Sequence, residues 1–488
     1  MEQIDLEKLN RLERVSSELE PDSSQLKDWN AQVSQYGLDY ISTIRDQQAY
    51  GSDYSLVNKL DGFAIDNNPK SLESIIPILK ESLDNPGVRP AMPGHLGYIP
   101  GGGVYSSALA DFIVAFTDHY AGIYFGGPGA VKMENSLIKW MCDLISYPDE
   151  SFGNLCSGGS IGNLTAIVAA RDAKDINSTK VRRAVVYLTT QTHHCVHKSF
   201  RIAGLQECIL RDVPVDNNYR MNVELLEDYI KLDIENGLVP FMVVGSLGTT
   251  DVGAVDPLDK IADIADLYNC WFHIDAAYGG FFVLVDSLKP LFKGVERSDS
   301  IVMDPHKTLF LPYGSGAVLV RNRDVLQESF EYEANYMQDA GDQNPEISPA
   351  EVSPELTKHF RGLRMWLPLQ MHGLKPFEAC LEEKHLLTLY FHEQVQKLGF
   401  EVGPTPELSV CIYRFIPTEG INVDEFNMKL SFKIRENSKY FISTTTIKND
   451  VWLRAAIVNF RTHLSNIKEY LAVLKEETTA LQNLIVKS

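Results

Sequence analysis

The chain has 488 residues, 44% of them hydrophobic and 23% charged, and a formal net charge of −20. This composition suits a large core organised in two or three units, and the acidity excludes a general binder of phosphate backbones, which needs a basic surface. No apolar run reaches the roughly 18 residues of a spanning helix, residues 1–46 lack a basic stretch followed by an apolar one, and the seven cysteines form no C-x-x-C pair, so a cytoplasmic protein without disulfides is expected.

Residues 1–95 read as a helical segment with polar breaks. Asp22-Ser23-Ser24 caps a helix starting near Gln25, and Asn67-Asn68-Pro69 is a stop. The loop that begins at Pro90 runs into Gly97-Tyr98-Ile99-Pro100-Gly101-Gly102-Gly103, stiff in places and bare of side chains in others. From about 105 to 325, amphipathic stretches such as 135–145 alternate with short apolar runs at 184–188, 241–245, 271–274, 300–303 and 316–320. Such runs, separated by helical pattern, predict an α/β fold with a mainly parallel sheet covered on both faces, whose ligands sit at the carboxyl ends of the strands. Residues 337–355 are polar, acidic and broken by Gly and Pro, a long loop of the functional or mobile kind. After a helix over about 364–375 the pattern changes to a smaller α+β unit, with a strand at 410–415 and a last helix from near Ser465. The expected division is a helical segment over 1–95, a large domain over 96–375 and a small domain over 376–488.

The chemistry concentrates at the ends of these strands. Asp275 follows an apolar run and precedes Ala276 and Ala277, small enough to let a flat ring lie close. Asp304-Pro305-His306-Lys307 follows the next run. A buried acid and a lysine on neighbouring strand ends are the two anchors of a pyridoxal phosphate (PLP) site: the acid keeps the pyridine nitrogen protonated, and the lysine holds the aldehyde carbon. Burial or a nearby cation would lower the lysine pKa. Ser157-Gly158-Gly159-Ser160 opens a helical pattern, so its backbone N–H groups form an anion cup, with the Ser160 hydroxyl as a further donor. His193 and His197 are four residues apart, but no third ligand accompanies them, so no metal is expected, and His193 is read as a ring-stacking or acid–base imidazole. Gly248-Thr249-Thr250 ends another buried run and directs hydroxyls to the same edge.

Together these residues resemble the group II PLP-dependent amino-acid decarboxylases, in particular those of the bacterial, aromatic L-amino-acid type. The resemblance spans about 95–463. It rests on His-x-Asp-Ala-Ala-Tyr-Gly-Gly at 273–280, Pro-His-Lys at 305–307, Ser-Gly-Gly-Ser at 157–160, Gly-Thr-Thr at 248–250 and Phe-Arg-Gly-Leu-Arg-Met-Trp at 360–366. It implies the fold type I architecture of aspartate aminotransferase, a small-molecule amino-acid substrate with an aromatic one favoured, release of the amine and carbon dioxide, and a homodimer with its sites at the interface, the N-terminal helices packing across it. By the same resemblance Lys307 is the covalent anchor, Asp275 the pyridinium partner, Ala277 a packing contact and His193 the imidazole stacked on the ring. Gly158, Gly159, Ser160 and His306 fall on the phosphate side, with Asp304 where relatives often have Asn. Thr250 lines the cofactor site, and Tyr98 and Pro100 belong to a substrate-pocket segment.

One departure bears on the reaction. Aromatic decarboxylases carry a loop tyrosine, contributed from the partner subunit, that protonates the carbanion left by decarboxylation, and 339–358 here contains neither tyrosine nor phenylalanine. Tyr332, Tyr336, His193, His359 or water is left to donate that proton. In related aldehyde synthases loss of this tyrosine diverts the carbanion to oxygen, so oxidative decarboxylation–deamination stands as the alternative outcome, beside decarboxylation of a non-aromatic amino acid.

Overall fold

The computed structural model describes residues 5–331, 345–418 and 420–487. Its centre is a seven-stranded sheet of β1 (Phe152–Cys156), β2 (Ala184–Leu188), β3 (Ile209–Asp212), β4 (Val239–Ser246), β5 (Trp271–Asp275), β6 (Ser300–Met303) and β7 (Gly316–Val320), in the spatial order β1-β7-β6-β5-β4-β2-β3. β6, β5, β4, β2 and β3 pair parallel, and β7 runs antiparallel to both β6 and β1. The sheet is parallel but for one strand, as the apolar runs imply.

Why those runs are continuously apolar is visible in how they divide. Val185 and Tyr187 of β2 face one core, with Leu137 and Met141 of the helix Pro128–Leu144 and with Leu226, Ile230, Leu258 and Ile261 of later helices. Ala184, Val186 and Leu188 face the other, with Ala166 and Ala170 of the helix Gly159–Ala173 and with Val196 and Phe200. The same alternation splits Val243 from Met242 and Val244 in β4. A strand buried on both faces has no polar side to show.

The smaller sheet is antiparallel: β8 (Glu401–Val402), β9 (Val410–Arg414), β10 (Ser443–Ile447) and β11 (Asp450–Ala456), in the order β8-β9-β11-β10. Helices Lys375–Lys397, Val423–Asn437 and Leu464–Lys487 cover it through Phe391, Leu430 and Tyr470. The helix expected over 364–375 lies at Gly362–His372. The N-terminal helix near Gln25 spans Ser23–Thr43 and starts at the Asp22 cap, in a capping box with Gln25.

Residues 90–103 are tied to the C-terminal part of the chain. Leu96 belongs to the core under the smaller sheet, and its amide donates to the Phe441 carbonyl at 2.7 Å. Arg454, buried on β11, donates from Nε to the Thr250 carbonyl (2.9 Å) and from Nη1 to the Tyr98 carbonyl (3.1 Å) and Ser443 Oγ (3.1 Å). Asn459 Nδ2 donates to the carbonyls of Pro90 (2.8 Å) and Met92 (3.0 Å), and Arg461 donates to those of Gly102 and Gly103.

Burial also sets a response to acid. His95 and His273 are each 0% exposed, and desolvation pushes both imidazoles down to about 4. A group whose folded pKa is depressed contributes stability that is present above its unfolded value, near 6.5, and lost as pH falls through the folded one. Between pH 6.5 and 4 each histidine should therefore cost on the order of 1 kcal/mol per pH unit. Urea midpoints measured across that range should fall, and His95→Gln should flatten the slope.

Candidate active site

The strand ends converge on one cavity of about 340 Å³. Its wall takes Ser157, Gly158, Gly159 and Ser160 from beyond β1, Gln191 and His193 from beyond β2, and Ser246, Gly248, Thr249 and Thr250 from the end of β4. Asp275 and Ala277 come from the end of β5, and Asp304, His306 and Lys307 from the end of β6. This is the carboxyl edge of the parallel strands, where such sheets bind ligands.

Gly158 and Gly159 stand where β1 turns into the helix Gly159–Ala173, whose first-turn N–H groups lack intrahelical partners. A side chain here would be crowded. A Cβ on Gly159 would lie 3.0 Å from Asp304 Oδ2 and 3.1 Å from the Ala277 Cβ, and one on Gly158 would lie 3.2 Å from His306 Cε1. The helix end therefore presents bare backbone donors to an anion.

Asp275 is 9% exposed. Its Oδ1 accepts from the Ala277 amide at 3.2 Å and its Oδ2 from Asn163 Nδ2 at 3.2 Å. Lys307 sits in the short helix Pro305–Thr308, and its Nζ is 3.0 Å from Asp304 Oδ2, a carboxylate 1% exposed. Burial by itself would push the Lys307 ammonium down, as the sequence leads one to expect. The Asp304 and Asp275 carboxylates outweigh that penalty, and the pKa is held above the ordinary lysine value. The expectation of a lowered lysine pKa is thus reversed, because two anions face it.

His306 Nδ1 donates to the Ser315 carbonyl at 2.5 Å and its Nε2 lies 3.7 Å from Asp304 Oδ2. Burial lowers the His306 pKa, against the pull of Asp304. His193 caps the helix His194–Ile202: its Nδ1 accepts from the Cys195 amide at 3.3 Å, which leaves Nε2 to carry the proton of the neutral ring. Burial lowers its pKa, partly offset by Asp275.

Ten of the twelve residues singled out in the sequence line this cavity, and Tyr98 and Pro100 do not. Tyr98 is 57% exposed, with its ring 5.6 Å from that of Phe441. Pro100 is buried beside Gly101, whose Cβ would strike the Lys307 carbonyl at 2.6 Å, so the segment crosses the back of Lys307. Arg361 also stays outside, with its guanidinium on Glu355 (3.3 and 3.4 Å). Tyr332 and Tyr336 lie outside the described residues. Ser157, Gly248 and Thr249 of the same sequence motifs line it too, and Asn163, Gln191, Cys195, Ser246 and Tyr278 join them without having been given a role from the sequence. Asn163 occurs four residues into the Gly159–Ala173 helix, and its position relative to the glycine cup was the one signal available for it.

The conserved domain of pyridoxal-dependent decarboxylases matches residues 57–415. The chain belongs to that family. It is 30% identical to an aromatic-L-amino-acid decarboxylase of Bacillus atrophaeus over 94% of this chain and 97% of the relative. It is 25% identical to a phenylacetaldehyde synthase of Arabidopsis thaliana, with 94% and 97% covered. The solved structure of Oryza sativa TDC with PLP and tryptamine superposes with a TM-score of 0.89 at 22% identity, covering 95% of this chain and 99% of that one. The protein is a PLP-dependent amino-acid decarboxylase, a carboxy-lyase of fold type I. The cavity fits that cofactor: a side-chain-free helix end suits a phosphate, and a buried carboxylate and an amine face the same space. No helix of the described residues is long and apolar enough to cross a membrane.

Proposed function

We propose that this cavity decarboxylates an aromatic L-amino acid, with Lys307 as the covalent anchor of PLP and Asp275 as the partner of its ring nitrogen. The observation that carries this reading is the meeting of Asp275, Lys307 and the glycine cup around one cavity. Bound there, PLP supplies an electron sink for the pair released when the bond from Cα to the carboxylate breaks. Gly158, Gly159 and Ser160 would hold its phosphate with backbone and hydroxyl donors, beside His306. The Asp275 carboxylate would hold a proton on the ring nitrogen and so keep the sink cationic. The flat imidazole of His193 and the methyl of Ala277 would flank the ring, with Thr250 also on the wall. Lys307 needs a neutral nitrogen to act as a nucleophile, and with Asp304 Oδ2 at 3.0 Å favouring its ammonium, that proton must leave before Lys307 can anchor the cofactor. Asp275→Asn, which keeps the shape and removes the charge, should lower kcat by about 10²–10³-fold, the range for losing one preorganised electrostatic partner. Single-turnover kinetics would measure it, and an unchanged rate would remove Asp275 from this role.

The aromatic preference is supported by the aromatic-L-amino-acid decarboxylase relative. Incubation with each of the twenty amino acids and PLP, with carbon dioxide and amine quantified, tests it. Turnover confined to acidic or aliphatic substrates would reject it. The tyrosine-free stretch at 339–358 favours a second reading, oxidative decarboxylation–deamination, and one relative is an aldehyde synthase. Oxygen uptake with peroxide and ammonia release would support that reading, and amine as the sole product would exclude it.

A homodimer with sites at the interface fits the N-terminal helices Leu6–Ser16 and Ser23–Thr43. They expose Leu9 (52%), Leu12 (53%), Val15 (61%) and Leu26 (54%), an apolar stripe that a monomer leaves in water. A cytoplasmic location is in keeping with seven free cysteines, five of them buried.

A further inference from the structure

Asp275 is reached from behind by a chain of buried polar groups. Trp271 Nε1 donates to Ser300 Oγ at 2.8 Å, and the same oxygen lies 2.8 Å from His273 Nδ1. His273 Nε2 is 2.7 Å from Asn163 Oδ1, and Asn163 Nδ2 is 3.2 Å from Asp275 Oδ2. Ser300, His273 and Asn163 are each 0% exposed, and Trp271 is 4% exposed.

The Asp275 end fixes the direction of the bonds. A carboxylate only accepts, so Asn163 must turn its amide nitrogen to Asp275 and its oxygen to His273. His273 Nε2 therefore carries a proton. The indole only donates, so Ser300 oxygen accepts from Trp271 and its hydroxyl hydrogen is free to point at His273 Nδ1. An uncharged His273 admits this one arrangement, and desolvation keeps the ring uncharged, with its pKa near 4. A flipped Asn163 would set its oxygen against the carboxylate and its NH₂ against the Nε2–H.

We propose that His273 is a positioning residue: seated between Ser300 and Asn163, with its Nε2–H on the Asn163 oxygen, it holds Asn163 with its amide donor on Asp275, so that the carboxylate stays aimed at the cofactor ring. The proposal rests on the reading of Asp275 as partner of the ring nitrogen. The other titratable groups that act on Asp275 are Lys307, His193 and Cys195, all on the cavity wall and none part of this chain. Asn163 also points its amide at Cys195 Sγ (3.4 Å), so both of its donors are used.

The test is a double-mutant cycle read by PLP binding. Apo-protein of wild type, His273→Phe, Asp275→Asn and the double variant is titrated with PLP, following the dissociation constant and the absorbance of the bound cofactor. His273→Phe should weaken PLP by about 10–100-fold, as the loss of an outer partner of a ligating group does at metal sites. His273→Gln, which keeps a donor near the Nε2 position, should recover most of that loss. In the Asp275→Asn background His273→Phe should add nothing, since the two act as one unit. If His273→Phe weakens PLP equally in both backgrounds, its role is packing and the proposal fails. If Asp275→Asn alone leaves affinity and absorbance unchanged, the underlying reading of Asp275 fails instead. Should His273→Phe not fold, Ser300→Ala, which takes away the partner that holds the His273 ring at Nδ1, replaces it in the same cycle with the same two outcomes.

Discussion

Lys307→Ala is expected to lower the decarboxylation rate by on the order of 10³-fold or more, since it removes the covalent anchor and a proton-transfer group together. The glycine cup and Asp275 remain, so PLP should still bind. Its spectrum should be that of the free aldehyde, without an imine band. The substitution also has a structural cost. Asp304, 1% exposed, would lose the ammonium at 3.0 Å and keep His306 Nε2 at 3.7 Å, an imidazole whose pKa burial lowers, and a buried carboxylate that loses its partner is destabilising. Lys307→Ala combined with Asp304→Asn should regain stability without regaining rate. Stopped-flow absorbance and urea unfolding of the three proteins separate the two effects, and near-normal turnover by Lys307→Ala would reject the anchor.

The second large effect lies away from the cavity. Lys358 and Glu134 form an ion pair at 2.8 Å with side chains 0% and 2% exposed. Lys358 Nζ also donates to Asn154 Oδ1 (2.8 Å) and the Leu155 carbonyl (3.0 Å) of β1, and Glu134 Oε1 accepts from the amides of Arg361 and Gly362, both at 3.0 Å. Lys358→Met would strand a buried carboxylate and two acceptors, a loss of about 3–5 kcal/mol. Adding Glu134→Gln should restore part of it. Because β1 ends one residue before Ser157, PLP affinity should fall with stability. Urea unfolding of apo- and PLP-loaded protein measures both, and a Lys358→Met protein as stable as wild type would show that the pair contributes nothing net.

That pair also explains part of what the sequence left hidden. The strands at 184–188, 271–274, 300–303 and 316–320 were legible because both of their faces are buried. β1 reads Phe-Gly-Asn-Leu-Cys and carries no such signal, since Asn154 is there to receive Lys358, and Gly153 because a Cβ would come within 2.1 Å of the Val318 carbonyl. β3 is an edge strand whose Arg211 pairs with Asp233, so it alternates with charge and resembles a loop. In the site, residues with chemistry of their own, such as Asp275, Lys307 and the glycines, announced themselves. Asn163 did not: an asparagine inside a helix reads as a surface residue until its neighbours across the sheet are known. Tyr98 and Pro100 were grouped with the substrate pocket by resemblance, and in this chain their segment is fastened to Arg454 and Phe441, at the cavity's flank rather than in its wall.

That fastening has a consequence for biosynthesis. The groups that grip residues 90–103 are Arg454, Asn459 and Arg461, and Arg454 is made 356 residues after Tyr98. All seven strands of the central sheet are made by Val320, whereas the side chains that grip the backbone behind Lys307 come only in the last tenth of the polypeptide. A C-terminally clipped chain would keep every residue of the cavity wall and lose the side chains that hold the backbone behind Lys307 in place.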